Sequence, residues 1–194
     1  NTLTSFNIEG KKCLDIGPGT GRWLQFVNRQ NPAYVGAVDI SDESLKRCQP
    51  LCDQTQKANI ETETLNFESD FFDVVVSFEV LEHLKDPYLY LSEIKRVTKK
   101  GGVILMSLPN IASFISRVRL LFGILPVAIH SDPTHVSFYR QRDIRKLFGS
   151  YGLTPHFIPT SISLNPATPK AKLRIPSNGL LSSFDDSLLF FIRK

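Results

Sequence analysis

The chain has 194 residues, 42% of them hydrophobic and 22% charged, and a formal net charge of +4. That length buries a core without disulfides or a structural metal, and the absence of a long apolar run or a low-complexity tract excludes a spanning helix and a disordered chain. Basic residues alternate with acidic ones except around Arg117, Arg119, Arg140, Arg142, Arg145 and Lys146, too thin a stripe for a nucleic-acid groove, so no nucleic-acid partner is expected.

Short β-branched runs alternate with stretches of helical spacing from residue 11 to about 158, which implies a parallel sheet with helices on both faces. Strand one is read at Cys13 to Ile16 and a helix at Thr20 to Arg29. Strand two runs Tyr34 to Ile40, followed by a helix from Ser41 to about Gln54 with Asp42 and Glu43 in its first turn. Strand three is weak, at Asn59 to Thr64, and strand four is Asp73 to Phe78. The next helix, Pro87 to Lys99, has Asp86 as N-cap, Pro87 in first position and Gly101-Gly102 as its stop. Val103 to Leu108 is strand five, and Gln141 to Tyr151 a further helix. His156 to Ile162 and Ser187 to Ile192 read as an antiparallel closing pair across a Pro-rich connection, Asn165 to Asn178.

No linker divides the chain, so residues 1–194 are expected to form one domain with an apolar cap at about 110–139. Cys48 and Cys52 stand where one helical face would carry both, and no Cys or His cluster completes a metal site by spacing, so no metal is expected. The three cysteines, an odd number with no secretory leader before them, fit a reducing, cytoplasmic setting.

The strongest local signal is Leu14-Asp15-Ile16-Gly17-Pro18-Gly19-Thr20-Gly21, a strand running through glycines into a helix. Gly17, Gly19 and Gly21 permit torsions and a close approach that side chains would block, so a ligand can lie against the main chain. The order Asp-x-Gly-x-Gly-x-Gly differs from the NAD fingerprint, and no Gly-Lys-Ser/Thr follows to make a P-loop. Asp39, at the end of strand two and about twenty residues beyond the loop, suits hydrogen bonds to two ribose hydroxyls, with helix capping as the plainer role.

These residues, with Gly36-Ala37-Val38-Asp39-Ile40-Ser41, Phe72-Asp73-Val74-Val75, Glu79-Val80-Leu81-Glu82-His83 and Gly101-Gly102-Val103, resemble the ordered motifs of class I S-adenosylmethionine-dependent methyltransferases. The likeness is nearest to the broad group that includes the ubiquinone-biosynthesis O-methyltransferases, and it covers about residues 11–158. It implies a doubly wound, seven-stranded α/β sheet of order 3-2-1-4-5-7-6 with strand seven antiparallel. It also implies S-adenosylmethionine across the carboxyl ends of strands one and four, with Gly17, Gly19 and Gly21 along its methionine and ribose, Asp15 ordering the turn and Asp39 on the ribose hydroxyls. Ile40 would pack on the adenine, Glu61 stands where the family usually has an Asp for the adenine amino group, and Ser77 and Glu79 follow strand four where sulfonium and acceptor meet.

The resemblance implies an enzyme moving a methyl group to a small-molecule, sugar or lipid-like acceptor, at oxygen. Methyl transfer needs alignment and removal of a proton. The residues named for that are His135, in His130-Ser131-Asp132-Pro133-Thr134-His135-Val136-Ser137-Phe138-Tyr139, and His83; each has the alternative role of pinning its loop. Tyr139 would line the substrate. The apolar segment 114–129 carries Arg117 and Arg119 and is broken by Gly123 and Pro126. It suits a peripheral membrane contact, a lid over the acceptor, or a helix packed on the core. Two other readings stand beside the first: an N-methyltransferase of a small amine, and a catalytically silent cofactor-binding subunit.

Overall fold

The computed structural model describes residues 7–130, 132–158, 161–163, 172–174 and 187–194. β1 (Lys12–Ile16) lies at the centre of a seven-stranded sheet, paired in parallel with β2 (Tyr34–Asp39) on one side and β4 (Phe72–Phe78) on the other. Successive side chains of a strand face opposite ways. Leu14 and Ile16 therefore join Val38, Val75 and Ile104 in one apolar layer, whereas Cys13 joins Val35, Val74 and Val76 in the other. Helices α1 (Arg22–Asn28) and α2 (Asp42–Cys48) cover the second face through Leu24, Val27 and Cys48; α3 (Tyr88–Val97) and α6 (Gln141–Gly149) cover the first through Tyr90, Ile94, Ile144 and Phe148. A strand buried on both faces reads as a continuous apolar run, and Asp15 is the single carboxyl inside β1.

Chain order was legible almost everywhere; several boundaries differ, each for a local reason. β3 is Gln54–Lys57, in parallel register with β2 from Gly36↔Gln54 to Asp39↔Lys57. It is a polar edge strand without alternation. The expected strand at Asn59 to Thr64 is a turn, closed by Thr62 N and Glu63 N donating to Asn59 O and by Glu61 N donating to Asn59 Oδ1. The expected helix to Gln54 stops at Cys48, and Pro50 follows in a 3₁₀ turn, Gln49–Leu51. Cys48 therefore ends a helix while Cys52 lies beyond the turn in extended backbone, so the two do not share a helical face.

α3 begins at Tyr88, with Pro87 at the capping position and Asp86 Oδ1 accepting from Tyr88 N. It ends at Val97, because Thr98 already pairs with Phe72 at the start of the long β5 (Thr98–Pro109). Gly101 and Gly102 make an irregularity inside β5, between the Phe72↔Thr98 and Val74↔Val103 pairs, and do not terminate the helix. A Cβ at Gly102 would meet Lys99 O at 2.8 Å, which any larger residue would have to displace.

β5 is followed by α4 (Phe114–Leu121) and the short α5 (Val127–His130). β6 (His156–Ile158) and β9 (Ser187–Arg193) then close the sheet, β9 antiparallel to both β5 and β6. The order is β3-β2-β1-β4-β5-β9-β6. With β9 counted as the seventh strand of this sheet in chain order, that is the expected 3-2-1-4-5-7-6. The expected single strand His156 to Ile162 divides: β7 (Ser161–Ser163) leaves the sheet and pairs with β8 (Lys172–Arg174). Apart from β8, the connection Asn165 to Asn178 lies outside the described residues. Among the described residues no helix is long and apolar enough to cross a membrane.

Candidate functional site

The carboxyl ends of β1, β2 and β4 and the turn after β3 enclose a cavity of about 350 Å³. Its floor is Ile16, Gly17 and Gly19, one wall is Val38 to Ile40, and the opposite wall is Glu79, Val80, His83 and Leu84. Gly17 has φ +73, and a Cβ built on it would sit 2.5 Å from Val80 Cγ2. The glycine therefore holds open the seam between the β1 loop and the residues after β4, where a side chain would close it. Gly21 faces elsewhere: at the N-terminus of α1 it packs against Cys48, whose Sγ would lie 3.2 Å from an added Cβ.

Asp39 forms the wall beside the glycines and is held from both sides. Its Oδ1 accepts from Ser41 N at 2.9 Å and its Oδ2 from the Ser44 hydroxyl at 2.6 Å. The residue thus fixes the start of α2 while presenting its carboxylate at the cavity. Each carboxylate oxygen retains a further acceptor position. Asp15 lies buried beneath the loop and outside the cavity lining; burial, with the charge of Asp39 added, pushes its carboxyl up to about 8.

Ile40 stands on the rim, 62% exposed. Glu61 lines the cavity beside Asn59 and Ile60, but its Oε1 accepts from the N–H groups of Lys85 and Asp86 at 2.7 and 2.9 Å, tying the β3 turn to the approach to α3. Ser77 is absent from the lining: it is buried, and its hydroxyl meets the Tyr90 hydroxyl at 2.5 Å. Glu79, in a left-handed conformation at φ 55, lines the cavity while its Oε1 accepts from the Ser107 hydroxyl at 2.6 Å.

Beyond Glu79 the chain makes a 3₁₀ turn, Leu81–His83, to which the segment after α5 is bound: Val136 N and Ser137 N both donate to Glu82 O at 3.0 Å. These bonds bring His135 against His83, their rings inclined at 63° edge to face with centroids 4.8 Å apart. Each ring is oriented by its Nδ1. In His135 it faces Ala128 O at 2.8 Å; in His83 it faces Thr134 O at 3.2 Å and Thr134 Oγ1 at 2.9 Å, that hydroxyl donating in turn to Asp132 Oδ1. A carbonyl only accepts, so Nδ1 carries the proton and each neutral ring keeps its lone pair at Nε2.

Glu82 is the residue here that the sequence did not single out. It is 2% exposed, and neither of its oxygens has a hydrogen-bond partner among the described residues. His135 Nε2 stands 4.0 Å from its Oε1 and 3.9 Å from Asp132 Oδ2. Burial first, then the Glu79 carboxyl close beside it and the charge of Asp132, push the Glu82 carboxyl up to about 8, against the pull of its own backbone N–H. Donor atoms of Glu82, His83 and His135 all lie within 4.8 Å of one another, so the fold assembles a cluster of metal-ligating type where the sequence led us to expect none. Asn59, Ile60 and Leu84, which belong to no motif, were also missed as lining, and so was Val80, an apolar position inside one.

Comparison with known proteins agrees with this architecture. A family described as "Methyltransferase domain" matches residues 2–156. The mitochondrial ubiquinone biosynthesis O-methyltransferase of Dictyostelium discoideum is 26% identical over 162 residues, 74% of this chain and 50% of that protein. A probable phthiotriol/phenolphthiotriol dimycocerosates methyltransferase 2 of Mycobacterium ulcerans is 32% identical over 107 residues, 52% of this chain and 40% of that protein. The chain thus spans about half the length, or less, of these curated relatives. Among solved structures, a possible histamine N-methyltransferase of Thermotoga maritima superposes with a TM-score of 0.71 at 16% identity, over 95% of this chain and 82% of that one. A second, from Archaeoglobus fulgidus, gives 0.71 at 18% identity over 100% and 90%. At such identities the likeness is one of fold.

Proposed function

From the premise that this chain belongs to the methyltransferase-domain family and is a class I S-adenosylmethionine-dependent methyltransferase, we propose that it methylates a hydroxyl oxygen of a small-molecule, sugar or lipid-like acceptor. The observation that carries the proposal is a cavity with Asp39 on one wall and His83, backed by His135, on the other.

The residues present fit the cofactor. A volume of about 350 Å³ falls within the range of small-molecule sites, roughly 300 to 1,000 Å³, and Gly17 leaves room that a Cβ would fill. S-adenosylmethionine, when bound, supplies an activated sulfonium methyl. In this reading Asp39 accepts from the ribose hydroxyls, Gly17 and Gly19 offer their backbone, and Ile40 covers the adenine. Glu61 serves by holding the β3 turn in place, because its accepting oxygen is already engaged with Lys85 and Asp86. Ser77 and Asp15 act from beneath the site as buried supports. Glu79 and His83 face the side where an acceptor approaches. An acceptor hydroxyl methylated here would have to give up its proton, and the imidazole of His83, which lines the cavity with His135 set against it, is the group that would take it.

A lipid-like acceptor is favoured by α4 and the loop after it. Leu121 is 84% and Phe122 76% exposed, and Leu120, Ile124 and Leu125 are exposed beside them. With Arg117 and Arg119 in the same helix, this surface suits contact with an anionic lipid layer.

The test is calorimetric titration of the chain with S-adenosylmethionine, S-adenosylhomocysteine and NAD, together with an Asp39→Ala variant. Saturable binding of both adenosyl ligands but not NAD is expected, weakened at least about tenfold by Asp39→Ala through loss of two charge-assisted hydrogen bonds. A folded chain that binds neither adenosyl ligand overturns the proposal. Methyl transfer from labelled cofactor to amines and never to hydroxyl compounds would overturn the choice of oxygen.

A further inference from the structure

We propose that the amino end of the sheet carries a second binding site, for a phosphate dianion, formed by Lys11, Lys99, Lys100 and Asn7. A cavity of about 190 Å³ lies there, where the starts of β1 and β4 meet the irregular stretch of β5. The cofactor cavity is at the opposite, carboxyl end of the same strands, and the two share no lining residue. The second site therefore stands independently of the methyl-transfer reading.

The backbone builds this site. Between the Phe72↔Thr98 and Val74↔Val103 pairs β4 advances by two residues and β5 by five, so three residues of β5 stand out of the ladder. A bulge re-aims the side chains it carries, and here it carries Lys99 and Lys100. The excursion is pinned by the end of the chain's last strand. Gly101 N donates to Lys194 O at 2.7 Å, Lys194 N donates to Gly102 O at 3.0 Å, and Lys194 Nζ bonds Thr98 O and Asp70 Oδ1. Gly101 takes φ +76, and a Cβ on Gly102 would lie 3.1 Å from Asp73 O, so the two glycines let the bulge sit tight against β4.

The charge of the lining is unbalanced. Three lysines face one carboxylate, Asp73, which leaves a net charge of +2. Asp73 is already engaged within the protein: its Oδ2 accepts from Lys12 N and its Oδ1 from Lys99 Nζ, both at 2.9 Å. Against the effect of burial, these contacts hold its carboxyl below the usual carboxylate range. Lys99 is thereby fixed at the pocket with two of its three N–H groups still to donate. Lys11 and Lys100 are exposed, and among the described residues neither ammonium has an acceptor. Asn7 adds a neutral donor, because its Oδ1 accepts from Glu9 N and its amide NH₂ is left for a ligand. What sets these lysines apart from solvated lysines elsewhere is that all three line one concavity.

Charge and size select the ligand. A phosphate group carries about −1.5 to −2 near neutral pH, which matches the lining, whereas a carboxylate brings a single charge. Lysine ammoniums bind phosphate as point charges and need no planar fork opposite them. The lining has no aromatic ring and no arginine, so nothing there stacks a nucleobase. Its volume is below the roughly 300 Å³ at which small-molecule pockets begin, so the pocket holds the phosphate group and leaves the remainder of any larger ligand outside. A bound dianion would tie the entry to β1 to the bulge of β5 and stabilise the fold by mass action.

The test is calorimetric titration with inorganic phosphate and with glycerol 3-phosphate, against chloride at matched ionic strength. Wild type is compared with Lys11→Gln plus Lys100→Gln, and with a control, Lys46→Gln plus Lys146→Gln, that removes the same charge from α2 and α6. Urea denaturation checks that each variant is folded. One dianion per chain is expected, with affinity lowered at least about tenfold in the first variant, kept within about twofold in the control, and unchanged by saturating S-adenosylhomocysteine. Equal binding of glycerol 3-phosphate identifies a phosphomonoester and binding of inorganic phosphate alone identifies the free ion; either upholds the site. No saturable binding, or the same loss in both variants, overturns it. Displacement by S-adenosylhomocysteine overturns it too, since the phosphate would then lie in the cofactor cavity. Anionic vesicles that bind through Lys11 and Lys100 while neither phosphate compound binds would make this surface a lipid contact and overturn the proposal likewise.

Discussion

Asp39, which lines the cavity, and Glu82, buried next to His83 on the far side of it, are built in by different means. Asp39 finds both of its partners, Ser41 and Ser44, within five residues of itself, and the glycines beside it follow directly on a strand paired with its own. Glu82 draws its surroundings from the segment after α5, through Val136, Ser137 and His135, and its carboxylate is left without a hydrogen bond among the described residues. The carboxylate of Asp39 is thus satisfied by short-range contacts. The surroundings of Glu82 are assembled across the chain.

The largest effect that sharpens this contrast is expected on the side of Asp39. Gly17→Ala puts a Cβ 2.5 Å from Val80 Cγ2 at a φ of +73, so both overlap and backbone strain apply. A loss of about 2–4 kcal/mol in urea denaturation is expected, with weakened S-adenosylhomocysteine binding. Adding Val80→Ala should recover the overlap and leave the strain of about 1 kcal/mol. A Gly17→Ala protein as stable as wild type would show that the loop yields, and the contrast would fail.

Next in size is the pH dependence carried by Asp15. Its carboxyl, at 3.8 in an unfolded chain, is pushed up to about 8 by burial and then by the charge of Asp39. A group with a raised folded pKa contributes its full stability below the unfolded value and loses it as pH rises through the folded one. Wild-type stability should therefore fall between pH 4 and 8.5 by about 1–3 kcal/mol more than that of Asp15→Asn, measured by denaturation at several pH values. Parallel profiles would mean that Asp15 stays ionised, with a partner we have not identified.

The smallest effect on the fold is expected at the apolar surface. Leu121→Ser with Phe122→Ser should alter stability by no more than about 0.5 kcal/mol, because both side chains are mostly exposed. Binding to anionic vesicles in a flotation assay should drop severalfold for the same protein. A large loss of stability would mean that this surface packs on the domain, and equal vesicle binding would remove it as a lipid contact.

Some of this was legible because it depends on neighbours in sequence. The apolar runs of β1, β2 and β4, the glycine loop and Asp39 are periodic or closely spaced, and the sheet order followed from the family motifs. β3 was misplaced because Gln54–Lys57 is a polar edge strand with no alternation to read, and Asn59 to Thr64, read as the strand, is a turn. The glycines of β5 looked like a helix stop because a bulge and a stop use the same residue for the same backbone reason.

By itself, then, the sequence determined the α/β order, the glycine turn and the carboxylate that faces it, since periodicity and turn chemistry act over a few residues. Only the tertiary structure decided that Glu61 is engaged with Lys85 and Asp86, that Ser77 is buried under Tyr90, and that Glu82, His83 and His135 converge. Those outcomes depend on where distant segments pack and on which hydrogen bonds burial leaves unmade, and neither quantity is written in local spacing.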